Sequence, residues 1–109
     1  MSSYFYLDVT LELDLPEHFI ITAVAFKKHV LLSLETLFGE VTSSIDVDVL
    51  KYIPATKRAI LRVPSEYYVK LYSSLTLNGV YEGVDCAYRV HKTSPCLLGL
   101  IADSRSYEH

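Results

Sequence analysis

The hydrophobic positions change period several times along the chain, and each change marks an element. Over residues 4–13 they alternate, with Phe5, Leu7, Val9, Leu11 and Leu13 pointing one way and Tyr6, Asp8, Thr10 and Glu12 the other. A period of two predicts a half-buried strand. Pro16 lies just beyond it and cannot donate to a ladder. Over residues 22–38 the period becomes helical. Ala23, Phe26, Val30, Leu34 and Leu37 form one stripe, with Lys27, Lys28 and Glu35 off it. Thr22 suits an N-cap and Gly39 a C-cap. Alternation returns with Ile45, Val47 and Val49 against Asp46 and Asp48, predicting a strand that extends to Tyr52. Residues 54–57 read as a turn and residues 58–63 as a third strand, making a hairpin. A second helix is predicted from Ser65 as its cap, with Tyr68, Leu71, Tyr72 and Leu75 on its buried stripe and Gly79 as its stop. Residues 84–92 read as a fourth strand, ended by Ser94-Pro95.

The order strand, helix, strand, strand, helix, strand predicts an α+β fold of the ferredoxin-like, split β-α-β kind. Its antiparallel sheet would carry both helices on one face. The 109 residues make one domain, 1–109, with a polar tail frayed from about 103.

Composition adds two constraints. Half the residues are hydrophobic and the mean hydropathy is +0.24. A dense core accounts for part of that, but a domain this small has little interior, which favours an apolar surface that meets a partner. The net charge is −3, whereas a stand-alone nucleic-acid binder is usually basic, because phosphate neutralisation supplies most of its affinity. RNA contact, if made, is expected to be local and supported by other proteins. Cys86 and Cys96 form neither a disulfide framework nor a metal motif. The chain opens without a basic and then apolar leader, and no apolar stretch approaches the ~20 residues of a membrane helix. A cytosolic or nuclear setting is expected.

Catalytic motifs are absent: there is no nucleophile elbow, Walker loop, dinucleotide fingerprint or His-Glu-x-x-His. His18, His29, His91 and His109 lack metal-ligand spacing and read as surface or loop histidines. Asp46 and Asp48 share a strand face, where a solvated surface is the simpler account. Tyr4, Tyr6, Tyr52 and Tyr88 fit either a base-stacking platform or a protein interface, and the acidic balance favours the interface. Lys70, close to Ser73 and Ser74, together with Arg89 and Lys92, fits either convergence on phosphate or ordinary surface charge.

Several separated blocks resemble one family. They are Phe26-Lys27 through Leu37-Phe38-Gly39-Glu40-Val41, then Ala59-Ile60-Leu61-Arg62, Lys70 through Gly79 with Ser73-Ser74-Leu75-Thr76 its most distinctive part, Cys86-Ala87-Tyr88-Arg89-Val90, and Ser94-Pro95-Cys96-Leu97-Leu98. Their order and spacing are similar to those of the small protein subunits of ribonuclease P and ribonuclease MRP, in the branch of the fourteen-kilodalton subunit. Tyr72 stands where that family commonly has tryptophan, and Cys96 where it has phenylalanine. The resemblance implies a non-catalytic subunit of a nuclear and nucleolar ribonucleoprotein that removes 5′ leaders from precursor tRNA. It implies no cofactor on this chain, with magnesium at the catalytic RNA. It implies as partners a sister ferredoxin-like subunit, a barrel-like subunit and, largely through them, the particle RNA. On this reading Lys70, Ser73, Arg89 and Lys92 are the RNA-contact candidates. Tyr4, Tyr6, Tyr52, Tyr88, Leu97 and Leu98 are the partner-interface candidates. The alternative is an independent small RNA-binding module that uses the tyrosine-bearing sheet.

Overall fold

A computed structural model describes residues 3–13, 20–39, 46–77, 79–81 and 83–97. In chain order the elements are β1 (Tyr4–Leu13), α1 (Ala23–Phe38), β2 (Asp48–Ile53), β3 (Arg58–Pro64), a single 3-10 turn (Ser65–Tyr67), α2 (Tyr68–Leu77), β4 (Val80–Tyr81) and β5 (Val84–Ser94). The sheet order is β2-β3-β1-β5-β4, antiparallel throughout. The first strand thus lies in the middle, flanked by the third and the last, as the split β-α-β reading requires. The two-residue β4 is an addition. It folds back on the start of β5 through Gly83, whose φ of 84° is one a side chain would resist.

The alternation in β1 survives intact. Leu7, Val9 and Leu11 turn to the helices and are fully buried with Ala59, Leu61 and Val63 of β3. Thr22 caps α1, its hydroxyl accepting from the Ala25 amide at 3.1 Å. Gly39 closes the helix in a positive-φ conformation (84°), donating to the Glu35 carbonyl.

The helix phases differ from the expected stripes. The buried face of α1 is Phe26, His29, Val30, Ser33 and Leu34, while Leu37 and Ala23 are exposed. On α2 it is Leu71, Ser74 and Leu75, and Tyr72 is turned out. The reason is the contact between the helices. Ser33 and Ser74 both line the cleft between them, and small side chains let the helices approach. Each hydroxyl is satisfied within its own helix, Ser33 donating to the His29 carbonyl at 2.9 Å and Ser74 to the Lys70 carbonyl at 2.8 Å. The expected Ser65 cap is also replaced: its hydroxyl pairs with Ser3 at 2.6 Å, and the 3-10 turn takes the place of the first helical turn.

Two bulges reset the sheet pattern. In β2, Val49 faces Leu61 and Lys51 faces Ile60, which leaves Leu50 as an extra residue. In β5, Lys92 faces Asp8 and Val90 faces Val9, which leaves His91 extra. β5 runs to Ser94, beyond its expected end at residue 92.

Candidate partner and RNA interface

The sheet has one face covered by helices and one open face, and the registers sort the candidate residues between them. Tyr4 and Tyr6 lie on the open face. The Arg62 guanidinium sits 4.9 Å from the centre of the Tyr4 ring, a cation–π contact. Arg62 also donates to Asp48, from Nη2 at 2.7 Å and from Nε at 3.1 Å. That hydrogen bond is the main cause holding the Arg62 pKa above its ordinary value. Further along, Arg58 grips Asp8 bidentately at 2.9 and 2.8 Å. Asp8 is only 3% exposed although it lies on the uncovered face. Arg89 pairs with Glu12 at 3.4 Å, and His91 meets the Thr10 hydroxyl at 2.7 Å. Burial first, and then the neighbouring Arg58 charge, push the His91 pKa down. The open face is therefore a lattice of arginine–carboxylate pairs with one tyrosine held against an arginine.

Tyr52 and Tyr88 are elsewhere, which divides the expected tyrosine patch. Both turn into the core beneath the helices and flank Phe26, with ring centroids at 5.0 and 5.9 Å. For Tyr52 the cause is the Leu50 bulge. Without that extra residue Tyr52 would share a face with Asp48, and with it Tyr52 lies opposite core Ala59. Its hydroxyl donates to the Ile21 carbonyl at 2.6 Å. For Tyr88 the cause is plain alternation with Cys86 and Val90, which pack against the core.

Tyr88 leads to His29, for which the sequence pattern predicts a surface or loop position. His29 is a core residue of α1 and not a surface histidine. Its Nε2 reaches the Val80 carbonyl at 2.9 Å and its Nδ1 the Tyr88 hydroxyl at 2.6 Å. A carbonyl only accepts, so Nε2 carries the proton. In the neutral ring Nδ1 then accepts from Tyr88. One side chain thus ties α1 to both β4 and β5, with the Tyr81 ring 4.5 Å from its own. The only advance signal was its spacing: His29 and Ser33 are three and seven residues after Phe26, on the same helical face.

The four RNA-contact candidates do not converge. Arg89 and Lys92 belong to the open face, opposite Thr10 and Asp8. Lys70 and Ser73 belong to α2, on the other layer. The Lys70 ammonium lies 5.5 Å from the Phe38 ring and 5.9 Å from the Tyr67 ring. Leu97 is half-buried just past β5, and Leu98 lies outside the described residues. The outer helix surface carries exposed apolar side chains of a kind a partner could cover, Val69, Tyr72 and Leu77 on α2 and Val24 and Leu32 on α1.

The buried hydroxyls make a testable electrostatic signature. Burial, assisted by the Tyr81 charge, pushes the Tyr52 pKa up to about 12, and burial raises Tyr88 further. Cys86 is also raised, by burial and then by Asp85. A folded tyrosine pKa above the unfolded value of 10.0 contributes stability that is complete below that pH. The contribution is lost as pH rises through the folded values. The urea midpoint is therefore expected to fall steeply above pH 10 and to fall less in the double variant Tyr52→Phe/Tyr88→Phe. Equal falls in the two proteins would show that these hydroxyls ionise as freely in the folded chain as in the unfolded one.

Comparison with known proteins adds four findings. The model of the Rpp14/Pop5 family matches residues 4–99. The mouse protein "Ribonuclease P protein subunit p14" is 48% identical over 105 residues, covering 95% of this chain and 84% of its own. The human protein of the same name is 43% identical over 104 residues, covering 95% and 83%. A chain in a cryo-EM structure of yeast ribonuclease MRP superposes with a TM-score of 0.76 at 14% identity, covering 99% of this chain and 93% of that one. At that identity the superposition speaks for the fold.

Proposed function

The chain belongs to the Rpp14/Pop5 family, and from that membership we propose that it is a non-catalytic protein subunit of ribonuclease P, supporting assembly of the particle that removes 5′ leaders from precursor tRNA. The observation that carries the proposal is the close, nearly full-length likeness to ribonuclease P protein subunits in two mammals. The surface chemistry supports it. An acidic chain whose open-face arginines are engaged with carboxylates has little free positive charge for RNA alone. Exposed apolar side chains on the helix layer suit protein neighbours. A sister subunit of the same fold and a barrel-like subunit are the proposed neighbours, in the nucleus and nucleolus. Lys70, Ser73, Arg89 and Lys92 would then contact RNA, where they do, at two separate places on the chain.

Magnesium belongs to the catalytic RNA in this reading. The carboxylates of Asp8, Asp48 and Glu12 are each bound to an arginine, and among the described residues no three of His, Cys, Asp and Glu gather as metal ligands. These side chains do not fit a hard cation that needs several free oxygens.

The deciding experiment is purification of the tagged protein from nuclear extract, with sequencing of the recovered RNA and a precursor-tRNA cleavage assay. Recovery of ribonuclease P RNA with leader-cleaving activity is the expected result. Recovery of the MRP RNA alone would move the chain to that particle. Recovery of neither RNA, with salt-sensitive RNA affinity in the isolated chain, would overturn the proposal in favour of an independent binding module.

A further inference from the structure

Among the described residues, most of the outer edge of β5 has no neighbouring strand. β4 pairs with it at Val84 and Asp85, and the Gly79 carbonyl accepts from the Cys86 amide at 3.0 Å. That bond fixes which way the backbone points. The amide and carbonyl of one residue face the same side of an antiparallel strand, and the side alternates along the chain. Cys86 faces away from β1, so Tyr88 and Val90 do as well, while Ala87 and Arg89 face Glu12 and Thr10 of β1. The regular run ends at the His91 bulge. The two sides of this edge differ. Above it lies α2. Leu71 and Leu75 are its buried residues and Ser74 lines the cleft with α1, so the opposite flank of the helix, with Tyr72, overhangs β5. Tyr68 ties that flank to the strand, donating to the Thr93 hydroxyl at 3.2 Å, and the Tyr72 ring stands edge-on to the Tyr68 ring at 6.1 Å. Below it, on the open face, are Arg89 and Lys92. The Arg89 side chain is 63% exposed and its pair with Glu12 is loose at 3.4 Å.

An edge that offers an amide and a carbonyl at each outward residue is completed by another strand, which returns an acceptor and a donor. A phosphate chain returns acceptors alone. We propose that β5 takes an extended segment of a partner protein as an added strand in line with β4, and that this segment alternates apolar and acidic side chains. The apolar side chains pack under Tyr72 and the acidic ones meet Arg89 and Lys92, since successive side chains of a strand take opposite faces. A second copy of the chain is a poorer occupant. Two β5 edges paired about the middle of the free stretch set arginine against arginine. The other edge of the sheet is a poorer seat, because β2 is six residues long and its bulge at Leu50 falls in the middle. The β5 edge belongs to the isolated chain, so its test does not depend on the ribonuclease P reading.

The test is amide hydrogen exchange of the full chain, read residue by residue by NMR. In the free chain the Tyr88 and Val90 amides should exchange fast and the Ala87 and Arg89 amides slowly. The probe is a short synthetic peptide that alternates glutamate and valine. At about ten times its Kd it should slow exchange at Tyr88 and Val90 by about tenfold. Arg89→Glu should weaken this peptide by about tenfold, and should bind a lysine–valine peptide more tightly than the native chain does. Arg89 is exposed, so thermal unfolding of the variant should stay close to that of the native chain. A photo-cross-linking residue in place of exposed Ala87 carries the test into cells. The expected adduct is another protein, joined through an extended acidic segment. Slow exchange at Tyr88 and Val90 in the free chain would overturn the proposal, because the edge would already be covered by the chain itself or by a second copy. Equal affinity of the native chain for the glutamate and lysine peptides would overturn it too, as would an adduct formed with RNA or with a second copy alone.

Discussion

Arg58→Ala is expected to lower stability by about 3–5 kcal/mol, the range for breaking one side of a buried ion pair. The cost arises less from the lost attraction than from what remains. Asp8 is 3% exposed, and Arg58 supplies it with two hydrogen bonds of 2.9 and 2.8 Å. Without the guanidinium, a desolvated carboxylate stands in the central strand. Removing that charge as well should relieve much of the loss, so Asp8→Asn/Arg58→Ala should be more stable than Arg58→Ala alone. Arg62→Ala is the natural comparison. Its bond to Asp48 is equally short at 2.7 Å, but both side chains are more open to water, and solvent screens the survivor. Urea unfolding of the four proteins measures the contrast. Equal losses from Arg58→Ala and Arg62→Ala would mean that Asp8 is solvated in the folded chain.

Phe26→Ala should be as damaging, about 3–5 kcal/mol, through the cavity it opens. Phe26 is fully buried at the point where α1 meets the sheet, and its ring touches both inward-facing tyrosines. The effect should reach beyond the hole. Tyr88 is positioned by Phe26 on one side and by its bond to His29 on the other. A looser Tyr88 admits water, and the alkaline titration of both tyrosines should then move back toward 10.0. Leu32→Ala, on the outer stripe of the same helix, removes a half-exposed side chain and should change the midpoint little. A small loss at Phe26 would show that the helix is rotated relative to the sheet.

Local pattern was enough for most of the architecture. The alternation in β1, the Thr22 and Gly39 caps, the four-residue hairpin turn and the order of the elements were all legible, because each depends on residues close in the chain. The candidate site was much less legible. Lys70 and Arg89 look like neighbours when only charge is counted, yet a helix and the open side of a strand put them on opposite layers. Tyr52 and Tyr6 look alike in composition, yet one extra residue at Leu50 sends Tyr52 into the core. A bulge leaves no mark in the periodicity except a pattern that slips, and a slip of one residue exchanges the two faces of a strand.

His29 and Asp8 show where the boundary lies. Both are polar residues in a sequence, and polarity predicts exposure. Each is buried because a distant residue satisfies it: Tyr88 and Val80 for His29, Arg58 for Asp8. The sequence by itself determined the sheet's inner strand, the two helices, their order and the family. Only the tertiary structure decided which tyrosines are core, which charges are already paired and which helix stripe is left for a partner. Secondary structure follows from neighbours a few residues apart, whereas the burial of a polar group depends on a partner that folding brings from fifty residues away or more.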